Sequence, residues 1–244
     1  MTLTLVQAHG MVMILAWMVF ASIGILFARY GRSLKLGSRR QLLGKAVWFQ
    51  IHRFLLSLTP ILTLLGFLLI LVHAGGQWVN PKTSDIRLFV HSICGGIIVC
   101  CVMIQIWLAL YRCHPQSRFR FIFDWSHRIT GLLAFTLVIP TIFLMTILMS
   151  RSRPGLVPIL ACWVGWIVIV IIIFERIQYQ QRTTISPTGS HVRTENTNVR
   201  ADTEAGTNAN AGSQRHNQIK ILLLFIHIIV SIVLSTLFIV FLCK

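Results

Sequence analysis

Six long apolar blocks constrain this chain more than any other feature. They cover residues 4–28, 47–73, 88–111, 121–150, 156–177 and 219–242. A helix that crosses a bilayer needs roughly 20 successive apolar residues. Only helices and closed barrels satisfy their backbone groups in lipid, and unbroken apolar runs are typical of helices. We therefore predict an all-α integral membrane protein with six transmembrane helices.

The basic residues predict the orientation of these helices. The chain has 22 Lys and Arg residues against 6 Asp and Glu. Most of the basic residues crowd the loops after the first, third and fifth blocks, where cytosolic loops carry them. We therefore expect both termini outside the cytosol. Because topology accounts for the positive charge, we expect no nucleic-acid partner.

The chain divides by composition into three parts. Residues 1–180 hold the first five apolar blocks and form the main transmembrane domain. Residues 181–218 are rich in Thr, Asn, Ser, Gly and Ala, so we predict a disordered polar cytoplasmic loop. Residues 219–244 form a C-terminal transmembrane helix, whose plain aliphatic sequence is compatible with a place outside the core.

Four of the nine histidines occupy matching positions in the first four blocks: His9, His52, His91 and His127. Because successive helices run in opposite directions, His9 and His91 reach one depth near the outer face, while His52 and His127 share a depth near the cytosol. About fifteen residues, or roughly 22 Å, separate the two levels. Two histidines facing each other at one depth can hold haem iron. We predict a four-helix core with two haems.

Small residues near two of these histidines fit this interpretation. Gly95 and Gly96 follow His91 by about one turn, and Gly131 follows His127 in the same way, so a flat porphyrin has room between helices. The alternative is that a histidine in a membrane helix only bonds to its neighbour. Ionisable groups in membranes are costly, however, and usually functional. For the solitary His227 we favour the packing interpretation.

Four stretches resemble a known family. HGMVMILAWMVFASIGILFARYGR, WFQIHRFLL, RLFVHSICGG and FIFDWSHRITG are similar to the cytochrome b-561 family, especially to the b-561 module of ferric-chelate reductases that carry an extracellular DOMON domain. The match covers about residues 8–149 well and the fifth helix loosely. It implies two haem b groups, held by the pairs His9–His91 and His52–His127.

The resemblance also implies a reaction. Family members carry electrons from cytosolic ascorbate to an outer acceptor, either a ferric chelate or monodehydroascorbate, in the plasma membrane or in endosomal vesicles. They hold ascorbate with basic residues at the inner helix ends, which makes Arg29 and Lys45 candidates here; the positive-inside pattern explains both equally well. Two departures weaken the match: Phe49 stands where a basic residue is expected, and no DOMON domain precedes His9.

Two further function classes stay open. Bis-histidine iron has no open coordination position, which favours electron transfer over oxygen binding. No Gly-rich dinucleotide motif follows a strand, which disfavours an NADPH-dependent reductase. The alternative is a non-catalytic interaction or regulatory protein that retained the fold, and absence of haem would support it. A channel or transporter is disfavoured because we find no broken helices or charged pore. The sequence leaves open a homodimer and a separate outer domain.

Overall fold

The computed structural model describes residues 3–34, 41–42, 44–111, 114, 116–185 and 199–244. Its helices are α1 (Leu5–Ile14), a π-helical segment (Leu15–Ala21), α2 (Ser22–Tyr30), α3 (Val47–His73), α4 (Ile86–Leu110), α5 (Arg120–Leu148), α6 (Leu156–Ile185) and α7 (Val199–Cys243). Within this described part, six helical spans are long and apolar enough to cross a membrane, and α1, the π segment and α2 form the first of them. The predicted fold class is confirmed.

The first span is the most buried of the six, and local hydrogen bonds define its start and its π segment. Thr4 and Gln7 form a capping box at the start of α1, in which each side chain accepts a hydrogen bond from the backbone amide of the other residue. At the end of the π segment, the Ser22 hydroxyl donates to the carbonyl oxygens of Met18 at 2.7 Å and Val19 at 3.2 Å. The π segment therefore ends at a hydroxyl that bonds back to its own backbone.

A short antiparallel ladder precedes α3. Strands β1 (Gln41–Leu42) and β2 (Lys45–Ala46) pair with Leu42 opposite Lys45. Gly44 lies in the connecting turn with a φ of 71°, a left-handed conformation that favours glycine. The Gln50 side chain of α3 donates to the Leu42 carbonyl at 2.9 Å and fixes the hairpin against the helix.

The helices pack mainly in consecutive pairs. The first span lies against α3, α4 lies against α5, and α6 lies against α7, while α7 also contacts the first span. Gly24 allows the close approach of α2 to α3, because a Cβ there would lie 2.7 Å from Leu56 Cδ2 and 3.3 Å from Leu55 Cβ. The Gln7 side chain donates to the Leu242 carbonyl at 3.3 Å, so both chain ends lie at one face of the bundle. We call this the N-terminal face and the other the opposite face.

The segment after the fifth span differs from the expectation where it is described. We predicted a disordered loop over residues 181–218, but residues 181–185 continue α6 and residues 199–218 begin α7. Once a membrane helix has formed, each added residue gains a backbone hydrogen bond without a new nucleation step, which favours such extensions. Residues 186–198 lie outside the described part of the chain.

Candidate haem-binding sites

The structure brings the four predicted histidines together as two pairs. The ring centres of His9 on α1 and His91 on α4 lie 6.3 Å apart, near the N-terminal face. Those of His52 on α3 and His127 on α5 lie 6.5 Å apart, near the opposite face. The two rings of a pair are almost perpendicular, at 80° and 82° respectively. Each level of the bundle thus holds two imidazoles that face each other.

A backbone carbonyl orients three of these rings. The Nδ1–H of His9 donates to the Gly66 carbonyl of α3 at 2.8 Å, and that of His52 donates to the Gly24 carbonyl of α2 at 3.1 Å. On the other side, the Nδ1–H of His91 donates to a carbonyl of α5, that of Thr141, at 2.9 Å. A carbonyl can only accept, so the proton belongs to Nδ1 and the lone pair to Nε2. Such bonds fix the tautomer and raise the basicity of a metal-binding imidazole.

The distance between the paired rings fits one metal ion between them. A metal–imidazole bond is about 2.0 Å and the ring centre lies about 1.2 Å beyond the nitrogen, so two rings on opposite sides of an ion have centres about 6.4 Å apart. Among the described residues, no three His, Cys, Asp or Glu side chains converge as a metal site. Each pair offers two ligands, which suits an ion whose other four positions a porphyrin fills.

A gap between helix pairs gives a planar group room to enter. The rings of His9, His52 and His91 each bond to a carbonyl of their own helix pair, and each lies next to a histidine ring of the other pair. Direct backbone contacts of α1 with α4, and of α3 with α5, are sparse. A Cβ added to Gly95 would meet no atom within 4 Å. At Gly96 it would meet Trp78 at 3.2 Å, and at Gly131 it would meet the Gln105 amide nitrogen at 3.4 Å. Open space beside His91 is therefore clearest at Gly95.

Sequence reasoning missed the residues whose carbonyls hold the rings, although a spacing signal exists. Gly24 follows His9 by fifteen residues, Gly66 follows His52 by fourteen, and Thr141 follows His127 by fourteen. Four helical turns take about 14.4 residues, so each of these residues shares a helix face with the histidine before it. Each of the three helices thus brings a histidine to one level and a carbonyl acceptor to the other.

The two predicted substrate-binding residues lie at the opposite face in different settings. Arg29, at the end of α2, forms an ion pair with Glu175 of α6, with Nε and Oε1 2.7 Å apart, and its side chain stays 63% exposed. The Tyr30 hydroxyl donates to the same carboxylate oxygen at 2.7 Å. Lys45 is exposed on β2. Glu175 is therefore a partner of Arg29 that the sequence did not reveal.

His227, in the last span, has a different environment. His227 of α7 is fully buried, and its Nε2 lies 3.4 Å from the hydroxyl oxygens of both Ser22 and Ser231. Because the Ser22 hydroxyl already donates to Met18, its oxygen accepts from His227. This polar cluster has the features of a packing contact between helices.

Comparison with known proteins agrees with the motifs. A protein named as a homolog of ferric-chelate reductase 1 in Drosophila melanogaster is 36% identical over 169 residues, which are 69% of this chain and 23% of the relative. Ferric-chelate reductase 1 of Mus musculus is 34% identical over 153 residues, and that of Homo sapiens is 32% identical over 152; each match covers 62% of this chain and 23% of the relative.

The chain thus spans about a quarter of the length of the curated relatives it matches. No family model matches it. No solved structure matches it either. The relatives confirm the resemblance to ferric-chelate reductases found in the sequence motifs.

Proposed function

We propose that this chain transfers electrons across a membrane through two b-type haems, one bound between His9 and His91 and one between His52 and His127. The observation that carries the proposal is the arrangement of two facing imidazole pairs at two levels of one bundle. Ring spacing that fits a single metal ion, and backbone carbonyls that orient three of the rings, support it. A lone packing histidine needs none of these features.

The proposed roles of the residues follow from their hydrogen bonds. When bound, each haem supplies a one-electron ferric–ferrous couple. His9, His52 and His91 each keep a proton on Nδ1, and the Nε2 lone pair of each would be the ligand to a haem iron. A haem held by two histidines would have no open coordination position for oxygen, which would favour electron transfer.

The direction of transfer follows from charge and from the relatives. Basic loops mark the opposite face as cytosolic, so we propose that ascorbate binds there, near Arg29 and Lys45. It gives up one electron and one proton and becomes monodehydroascorbate. At the N-terminal face, a ferric chelate takes the electron and becomes ferrous, as the name of the relatives suggests. Monodehydroascorbate is the alternative acceptor, and the plasma membrane or endosomal vesicles are the proposed location, with homodimerisation left to test.

Sealed vesicles test this function directly. The purified chain is reconstituted, ascorbate is trapped inside, and ferric citrate is added outside with a colorimetric ferrous chelator. We expect ferrous iron to form outside only with the protein and internal ascorbate. The matched control is His52→Leu, which keeps one pair intact but interrupts the path. Equal rates for this variant and the wild type would overturn the proposal.

A non-catalytic membrane protein with the same fold is the competing function. It predicts that the chain purifies without haem and that vesicles reduce no iron. Haem content therefore separates the two functions before any rate is measured.

A further inference from the structure

Gln105 of α4 reaches across to the turn of α5 that bears His127. Its Nε2 donates to the His127 carbonyl oxygen at 2.7 Å and also contacts the Thr130 hydroxyl oxygen. We propose that Gln105 is a positioning residue for His127: Gln105 sets the orientation of that imidazole at the haem site between His52 and His127. We call the haem of this site the inner haem and that of the His9–His91 site the outer haem. The inference rests on the proposed function and adds a residue to it.

The hydrogen bonds of this contact are all accounted for. The His127 carbonyl lies within α5, where the amide four residues later donates to it, and its second lone pair takes the Gln105 bond. The Thr130 hydroxyl gives its own proton to the Ser126 carbonyl at 2.6 Å, so its oxygen is available as an acceptor. The two hydrogens of the Gln105 amide nitrogen therefore have one acceptor each.

Gly131 lies beside this contact. A Cβ at Gly131 would lie 3.4 Å from Gln105 Nε2 and 3.8 Å from its amide carbon, which is ordinary van der Waals contact. The glycine that we linked to porphyrin space therefore also borders a side chain from α4. An alanine there would fit against the amide, whereas a larger side chain would press on it.

The place of Gln105 in the bundle explains why it acts on His127. Gln105 follows His91 by fourteen residues, the same four-turn spacing that places Gly24, Gly66 and Thr141 at the other level of their helices. Those three residues bond a histidine ring through their carbonyls, whereas Gln105 bonds the backbone of the histidine itself. Fixing that backbone fixes the Cα of His127, from which the ring extends; packing against Phe123, at 2° between the ring planes, and against His52, at 82°, accompanies it.

A purely structural role for Gln105 predicts a different result. Polar side chains between membrane helices often contribute only modestly, and only to helix association. Such a contact would change stability without singling out one haem. Orientation of His127 by Gln105 instead predicts an effect on the potential and the spectrum of the inner haem alone.

The test uses Gln105→Met in the full chain, purified with its haems. Redox titration and electron paramagnetic resonance report each haem, and His52→Leu and His91→Leu assign the signals to the inner and outer site. We expect two haems per chain. The equilibrium constant for electron sharing between them should change at least threefold, which corresponds to a shift of about 28 mV in the potential of the inner haem at 59 mV per tenfold. The outer potential and signal stay unchanged.

Two variants serve as matched controls. Thr130→Val removes one acceptor but keeps the bond from Gln105 to His127, so both potentials should stay. Thr136→Val removes an exposed hydroxyl of α5 that bonds only within its own helix, and should also change neither potential. If Gln105→Met does not yield folded protein, Gln105→Asn replaces it, because its shorter side chain does not reach the His127 carbonyl, and we expect a shift at the inner haem only.

The outcomes separate this inference from the proposed function. A wild-type chain that purifies without haem overturns both. Two haems in the wild type, combined with Gln105→Met or Gln105→Asn that changes neither potential or shifts both equally, overturns the positioning role alone.

Discussion

The first five helices and the last two use buried polar groups in opposite ways. In α1 to α5, each of the four histidines faces another histidine across the gap between helix pairs. In α7, Nε2 of His227 lies 3.4 Å from the hydroxyl oxygens of Ser22 and Ser231, and the fully buried Lys220 donates to Gln181 at 2.7 Å and to Ser33 at 3.3 Å. The histidines of the first region lie next to each other, whereas His227 and Lys220 contact hydroxyl and amide groups.

The paired histidines, for which we propose haem binding, differ from His227 in their contacts. Burial does not separate them, because His227 is more deeply buried than any of the four paired histidines. The difference lies in which ring nitrogen makes the hydrogen bond. Nδ1 of His9, His52 and His91 bonds to a backbone carbonyl, and each of these rings lies beside a second histidine ring, whereas Nε2 of His227 contacts serine hydroxyls.

Replacing single histidines should have the largest effect, on the haem content of the chain. His52→Leu removes one ligand of the inner pair, so we expect haem content to fall from two per chain to about one. His227→Leu leaves both pairs intact and should keep two, with a lower Tm because Ser22 and Ser231 lose a partner. Pyridine haemochrome assays on both purified variants measure this. Loss of a haem in His227→Leu would contradict the distinction.

Preventing the close approach of α2 to α3 should have the next largest effect, on both stability and haem content. Gly24→Leu would drive side-chain atoms into Leu56 and Leu55, and overpacking of this kind costs about 1–3 kcal/mol. It would also displace the carbonyl that holds His52, so the inner haem should be lost or weakened. Denaturant unfolding and haem content report both.

The control for this change is Gly165→Ala in α6, where an added Cβ meets no atom within 4 Å. Alanine favours a helix over glycine by about 0.8–1.0 kcal/mol, so no loss of stability is expected. Equal behaviour of the two variants would show that the approach at Gly24 is not needed.

The perpendicular rings predict a spectroscopic property without any mutation. When two imidazoles that bind one ferric low-spin haem have perpendicular planes, the iron dxz and dyz orbitals have nearly equal energies. The electron paramagnetic resonance signal of such a haem is strongly anisotropic. Because both pairs are near 80°, both haems should show it. A signal typical of parallel rings at either site would contradict the geometry of that pair.

The smallest expected effect lies outside the membrane. Asp85 caps α4 by accepting from the Arg87 amide at 2.7 Å, and this bond lowers the pKa of its carboxyl below the ordinary value of 3.8. Its contribution to stability is therefore present at neutral pH and lost as the pH falls through the lowered pKa. Asp85→Ala should lower the Tm by about 2 °C or less at pH 7, and this difference should shrink as the pH falls through the lowered pKa. A difference in Tm that does not change with pH would point to another cause.

The sequence predicted the six spans because apolar runs of bilayer length have few alternatives. It also indicated which histidines share a level, since direction alternates from helix to helix and a rise of about 1.5 Å per residue converts position into depth. The b-561 resemblance gave the same pairs. These inferences need only the chain and its direction.

Residues that depend on how two particular helices face each other could not be predicted in this way. Glu175 is far from Arg29 in sequence, and only the packing of α6 on α2 brings it into contact. The carbonyls of Gly24, Gly66 and Thr141 carry no side-chain signal, although their four-turn spacing from the histidines is visible afterwards. Residues 181–185 and 199–218 have a polar composition but continue membrane helices, which composition alone does not reveal.

A reduced-minus-oxidised spectrum of the detergent-purified chain, with haem quantified per polypeptide and ascorbate as the reductant, shows whether the paired histidines hold haem. We expect about two low-spin b-type haems per chain, both reduced by ascorbate. A chain that folds as a helical bundle yet carries no haem would contradict it, and would leave the paired histidines as contacts between helices.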